Sequence, residues 1–147
     1  MLNQSEVRAL LPQSEPFVFI DSARMKSNEI IGSYTITGKE CFASGHFPER
    51  PVFPATIMVE ALGQLGIIYL MESYGSLGID PESIFFIKSE DVVCRRKCVP
   101  GDRLDLQMKV LRSREPLIQF AGEIRVKGKL SLKVSSVTLS FSTRSSG

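Results

Sequence analysis

A chain of 147 residues, 43% of them hydrophobic, can fill one core but hardly a second, so a single domain over residues 1–147 is expected. The net charge of +2 is too slight to argue for a nucleic-acid partner. The longest apolar run, residues 65–71, is far too short to cross a bilayer, and the N-terminus lacks a basic, apolar, cleavable leader, which together read as a soluble cytoplasmic protein without a membrane span.

Residues 4–11 read as a short helix stopped by Pro12, with Asn3 or Ser5 as its cap. Residues 17–20 (Phe-Val-Phe-Ile) form a β-prone apolar run. Residues 29–37 form a second strand, punctuated by Gly32 and closed by Gly38, and the two are expected to pair as a hairpin. A long helix follows over about residues 54–74, with Gly75 as a left-handed stop. Beyond the turn region at 76–81, residues 83–88 and 92–99 supply two β-prone segments, ended by Pro100-Gly101-Asp102. Leu104, Leu106, Met108 and Val110 then alternate with Asp105, Gln107 and Lys109, the pattern of a half-buried antiparallel strand. Ile118, Phe120, Gly122, Ile124 and Val126 repeat it. Leu130, Leu132, Val134, Val137, Leu139 and Phe141 do so again, with a phase shift at Ser135-Ser136 that predicts a bulge. Lys127-Gly128-Lys129 supplies the hairpin turn between these two strands, and residues 142–147 read as a frayed tail. One all-round apolar helix with long antiparallel strands predicts an α+β architecture, a curved sheet wrapped around the helix.

Cys94 and Cys98 are spaced as two residues on one face of a strand. With Cys41 they make an odd set in a chain without a secretion signal, which favours free thiols. One histidine and no second cysteine pair fall short of a zinc ligand set, so neither a metal nor another cofactor is expected. Arg95, Arg96 and Lys97, with Arg112 and Arg114, offer either a positive surface for an acidic partner or a set of solvated strand faces.

The stretch 45–64 holds the chemistry. Its loop carries the sole histidine, His46, and Pro48, Pro51 and Pro54 stiffen the backbone around it. Pro54 suits the first turn of the helix that follows. That helix is apolar on nearly every face, and its larger polar interruptions, Glu60 and Gln64, are four residues apart and share a face. A carboxylate there is either a functional group with a raised pKa or one satisfied by solvent or backbone donors.

Gly45-His46-Phe47-Pro48, Pro51-Val52, Glu60-Ala61 and Gln64 closely resemble the signature of bacterial 3-hydroxyacyl-[acyl-carrier-protein] dehydratases, which have the hot-dog fold. Leu10-Leu11-Pro12 followed by Pro16-Phe17 and Asp21 resembles the family's N-terminal segment. Arg95-Arg96 followed by Val99-Pro100-Gly101-Asp102 resembles its later strand-turn signature. The resemblance implies removal of water from a 3-hydroxyacyl thioester to give a trans-2-enoyl thioester. That reaction needs a base at C2, an acid at the departing C3 hydroxyl and stabilisation of charge on the thioester oxygen. His46 would be the base and Glu60 the acid. The N–H groups of Ala55 and Thr56 would bind the oxyanion, and Gln64 would orient Glu60 or make a polar contact across a subunit interface. The implied partner is acyl carrier protein, with Arg95, Arg96 and Lys97 as candidate docking residues. The implied assembly is a homodimer joined sheet edge to sheet edge, or a trimer of dimers.

Five residues in three places depart from the family pattern. Gln13 stands where His is usual, Ala55 where Gly is usual, and Val92-Val93-Cys94 where Ala-Arg-Phe is usual. Ala55 bears on the space for the thioester, and the last three bear on tunnel shape. These departures suggest a specialised paralogue, and they keep a non-catalytic carrier-protein-binding subunit as a rival reading. A hot-dog thioesterase, which would place its carboxylate differently and have no need of His46, is the other. Chain length, and acyl carrier protein versus coenzyme A as carrier, are not legible.

Overall fold

The computed structural model describes residues 1–143. Its elements run α1 (Gln4–Leu10), β1 (Ser22–Lys26), β2 (Glu29–Thr35), α2 (Ala55–Tyr74), β3 (Phe85–Cys94), β4 (Arg103–Arg114), β5 (Leu117–Val126) and β6 (Lys129–Ser140), with short 3-10 turns between them. The strands form one antiparallel sheet in the order β1-β2-β4-β5-β6-β3. α2 packs against β1, β2, β4, β5 and β6. This is the α+β arrangement expected from the pattern of one apolar helix among long alternating strands, and the hot-dog fold that the family resemblance implies.

The alternation in β4–β6 has its predicted consequence. Leu104, Leu106, Met108, Ile118, Phe120, Ile124, Leu132, Val134, Val137 and Leu139 are all buried, and they meet Met58, Leu62, Leu65 and Ile68 of α2. Phe120 pairs with Val137 and Gly122 with Val134, so β6 holds one extra residue at Ser135-Ser136, the expected bulge. The turn between β5 and β6 is a two-residue one, with Lys127 and Gly128 both at positive φ, as a primed hairpin turn requires.

α2 is 20 residues long and apolar enough by length and composition to cross a bilayer, a property the short run 65–71 did not reveal. It instead lies against the sheet, with residues 61–68 wholly buried. Close packing sets limits on its neighbours. A Cβ on Gly32 of β2 would stand 2.8 Å from Leu65 Cδ1 and 2.9 Å from the Ser22 carbonyl oxygen, and the backbone oxygen cannot swing away. Gly32→Ala is expected to destabilise the protein by about 1–3 kcal/mol, lowering the midpoint of thermal unfolding by several degrees. An unchanged midpoint would show that β1 and β2 separate at little cost.

Several sequence expectations are corrected. Residues 17–20 are not a strand; the hairpin partner of β2 is β1, and β2 itself ends at Thr35. Gly75 is right-handed and opens a 3-10 turn, and the left-handed stop is Gly78. The two segments expected at 83–88 and 92–99 are one strand, β3, which ends at Cys94. Cys98 lies beyond it, buried, so the two thiols do not share a strand face. Of the expected frayed tail, Thr143 is buried and bridges to Ile79, while residues 144–147 lie outside the described residues.

β3 differs from every other strand. It occupies a sheet edge, and Phe85, Phe86, Ile87, Val92 and Val93 are each 41–58% exposed. A ten-residue edge strand, with exposed apolar side chains at both ends, a charged centre at residues 88–91 and no strand on its outer side among the described residues, is what a sheet presents where another strand is to be added.

Candidate active site

The His46 loop is anchored at both ends by aromatic packing. Phe42 before it and Phe53 after it pack on each other and on Phe19, at ring separations of 5.5–6.0 Å. The Phe53 N–H also donates to the Cys98 carbonyl at 2.8 Å, tying the end of the loop to the segment after β3. Within the loop, Val52 grips His46 twice: its N–H donates to the His46 carbonyl at 2.8 Å, and its carbonyl lies 2.9 Å from His46 Nδ1. A carbonyl only accepts, so Nδ1 carries the proton and Nε2 of the neutral ring keeps its lone pair. The ring is half-buried and stacked on Phe47. A single histidine is thus fixed in rotamer and tautomer, and its basic nitrogen has no hydrogen-bond partner among the described residues.

Pro54 is the N-cap of α2, so regular helix begins at Ala55, one residue after the expected start. Its carbonyl takes the N–H groups of Ile57 and Met58. Ala55 and Thr56 are exposed, and neither N–H has an acceptor among the described residues. They provide the two free donors at the positive end of a 20-residue helix.

One and two turns on, Glu60 and Gln64 meet as their spacing predicts. Gln64 Nε2 donates to Glu60 Oε1 at 3.1 Å. Gln64 is completely buried within its own chain. Its carbonyl accepts the Phe19 N–H at 2.9 Å, and its amide also donates to the Phe17 carbonyl at 3.1 Å. The side-chain amide thus takes the place of a neighbouring strand for residues 17–19, which is why that β-prone run sits in the core outside the sheet. These contacts hold the Gln64 amide against Glu60 within one chain. Gln13, from the segment after α1, also reaches Glu60 Oε1, at 3.5 Å, a contact that sequence spacing gave no means of finding.

Burial pushes the Glu60 carboxyl above the usual carboxylate range, and the hydrogen bonds from Gln64 and Gln13 only partly oppose it. A carboxyl whose folded-state pKa is raised is favoured below the unfolded pKa and loses that advantage as pH climbs through the folded value. Glu60→Gln removes the titration but keeps the shape. Denaturant unfolding over a pH series should therefore show the variant gaining stability relative to the parent as pH rises through that raised pKa, and a pH-independent difference would contradict a buried, titrating Glu60.

Arg95, Arg96 and Lys97 are exposed on the turn after β3. Arg96 and Lys97 line a groove with Asp102, with Lys127 of the β5–β6 turn and with Lys129 at the start of β6, which adds two cations that the linear cluster did not include. Arg112 and Arg114 sit elsewhere, on β4 beside Leu117 and Gln119.

Residues 11–135 match the family model of the FabA-like domain. The chain belongs to the FabA-like family. Among relatives, it is 31% identical over 132 residues to the 3-hydroxyacyl-[acyl-carrier-protein] dehydratase of Geobacillus thermodenitrificans, covering 88% of this chain and 89% of that one. It is 33% identical over 130 residues to the enzyme of the same name from Caulobacter vibrioides, covering 86% and 80%. Solved structures extend the FabA-like fold further. The dehydratase heterocomplex ApeI:P of Xenorhabdus doucetiae superposes with a TM-score of 0.78 at 18% identity, covering 94% of this chain and 91% of that one. A hypothetical thioesterase of Streptococcus pneumoniae, solved with coenzyme A, superposes at 0.60 and 12%, covering 82% and 83%. At those identities the FabA-like chain shares a scaffold with both reactions, and its own residues must decide between them.

Proposed function

We propose that this protein dehydrates 3-hydroxyacyl thioesters carried on acyl carrier protein to trans-2-enoyl thioesters, in fatty-acid or related acyl or polyketide synthesis. The observations that carry this reading are a histidine whose Nδ1 faces the Val52 carbonyl, which leaves Nε2 as the basic nitrogen, and a helix carboxyl whose pKa burial raises. His46 Nε2 removes the C2 proton. Glu60 gives its proton to the C3 hydroxyl, the C3–O bond breaks, and water leaves as the C2–C3 double bond forms. The Ala55 and Thr56 N–H groups, at the helix terminus, hold the negative charge that builds on the thioester oxygen. The imidazolium and carboxylate left behind differ by one proton transfer from the starting pair, so no further reagent is consumed.

Two copies joined antiparallel along β3 would cover its apolar face and satisfy its free backbone groups, so we read the protein as a homodimer, alone or as part of a trimer of dimers. Residues 1–147 act as one dehydratase domain in this reading. The groove lined by Arg96 and Lys97, beside Arg95, is the docking surface for the acidic carrier. A soluble enzyme in the cytoplasm fits a long apolar helix whose central residues are enclosed by its own sheet.

The deciding experiment offers the protein 3-hydroxyacyl and enoyl thioesters of acyl carrier protein and of coenzyme A. The expected result is enoyl formation from the first and hydration of the second, with no free thiol. Thiol release would make it a thioesterase, and the absence of any reaction with retained carrier binding would make it a non-catalytic carrier-binding subunit.

A further inference from the structure

We infer that Gln13 is a positioning residue for the dehydration acid: with Gln64 it converges on Glu60 Oε1, leaving Oε2 as the oxygen that carries the proton and delivers it to the C3 hydroxyl. The inference rests on the dehydratase reading for what Oε2 does, but not for where the two amides sit.

The two amides are not equivalent. Gln64 is saturated, since its carbonyl takes the Phe19 N–H and its two amide hydrogens go to the Phe17 carbonyl and Glu60 Oε1. It cannot turn without breaking the core segment it supports. Gln13 is held differently. Its Nε2 reaches Glu60 Oε1, while its own Oε1 is buried and has no partner among the described residues. Leaving a buried acceptor unpaired is costly, and no other hydrogen bond described for Gln13 accounts for the position of its amide. An amide placed only to satisfy the fold would have its carbonyl paired, as that of Gln64 is.

Two N–H donors on one carboxyl oxygen make it a poor place for a proton, because each donated hydrogen would face the acid hydrogen. The neutral acid is therefore protonated on Oε2. During turnover the Oε2–H bond breaks, the C3 hydroxyl oxygen takes the proton and departs as water, and the two amides stabilise the carboxylate that remains. The groups that face Glu60 are Gln13 from the segment after α1 and Gln64 from α2, and no charged side chain among the described residues pairs with it. Gln13 stands where the resembling family usually has histidine. An uncharged amide does not titrate, so its grip on Glu60 does not vary with pH.

The test compares Gln13→Leu, which removes both amide functions, with Gln13→His, which restores a ring N–H donor. With Gln13→Leu, kcat should fall about tenfold with KM little changed, and Gln13→His should recover most of it. Carboxyl carbon NMR, with the Glu60 resonance assigned by its loss in Glu60→Gln, gives a readout that does not depend on turnover. Losing a donor to the ionised form should raise the Glu60 pKa in Gln13→Leu and not in Gln13→His. An unmoved Glu60 titration in folded Gln13→Leu overturns the inference, whatever the activity. So does a loss of kcat that tracks a lower unfolding midpoint and is not rescued by histidine. A shifted titration in a protein that dehydrates none of the thioesters tried would leave the amide clamp standing and remove the dehydratase reading.

Discussion

Changing His46 to Ala, or Glu60 to Gln, is expected to lower the dehydration rate by about 10²–10⁴-fold, the usual contribution of a positioned general base or acid. The loss should lie in kcat more than in KM, because both groups act on protons that move in the transition state. The folds should survive. His46 lies on a loop whose ends are secured by Phe42, Phe53 and the Phe53–Cys98 hydrogen bond, none of which the imidazole supplies. Gln at position 60 keeps an oxygen for the Gln64 amide to bond. Thermal unfolding and circular dichroism would check this before activity is interpreted. Turnover within a few-fold of the parent in either variant, measured as enoyl absorbance from a 3-hydroxyacyl thioester, would end the assignment of that residue.

The second large effect is a recovery. The resemblance to the 3-hydroxyacyl-[acyl-carrier-protein] dehydratases implies a site at the dimer interface, with His46 from one subunit and Glu60 from the other, and in a dimer formed along β3 such a site can be rebuilt from two inactive proteins. A mixed dimer of His46→Ala with Glu60→Gln holds both lesions in one site and both native residues in the other. Random assortment during coexpression makes about half the dimers mixed, each with one intact site, so activity should return to roughly a quarter of the parental value. Neither variant alone shows this. A folded mixture proved by mass spectrometry to contain mixed dimers, yet inactive, would mean that the two groups act within one chain. The same experiment tests β3 as the junction. A charge placed at Ile87, 42% exposed on that edge, should prevent both dimer formation and recovery without touching either catalytic side chain.

The departures from the family pattern look different once they are placed. Gln13 lies against the carboxyl of Glu60 and so belongs to the site. Ala55 contributes an exposed methyl at the helix start, beside the two free N–H donors, where bulk bears on the approach of the thioester. Val92, Val93 and Cys94 lie on the exposed edge strand, so their changed character affects what β3 meets.

The sequence by itself determined the elements whose reasons are local. Alternation in β4–β6 gave period and face, because side chains of a strand point to opposite sides and only one side is dry. The phase break at Ser135-Ser136 could only be a bulge or a turn, and Lys127-Gly128 had the residues for a left-handed hairpin turn. The i, i+4 relation of Glu60 and Gln64 is a property of any helix, so their contact was legible too. The tertiary structure decided what depends on partners remote in the chain. Residues 17–20 have every local mark of a strand, but a strand also needs a neighbour, and the amide of Gln64 takes that place. Gly75 is permissive of a left-handed turn without requiring one, and the chain takes one more short turn before Gly78. The tautomer of His46 is set by a carbonyl six residues away across a loop, and the second amide on Glu60 comes from 47 residues upstream, a separation at which no periodicity speaks. Local chemistry chose the candidates, and long-range packing fixed which atom of each is free to react.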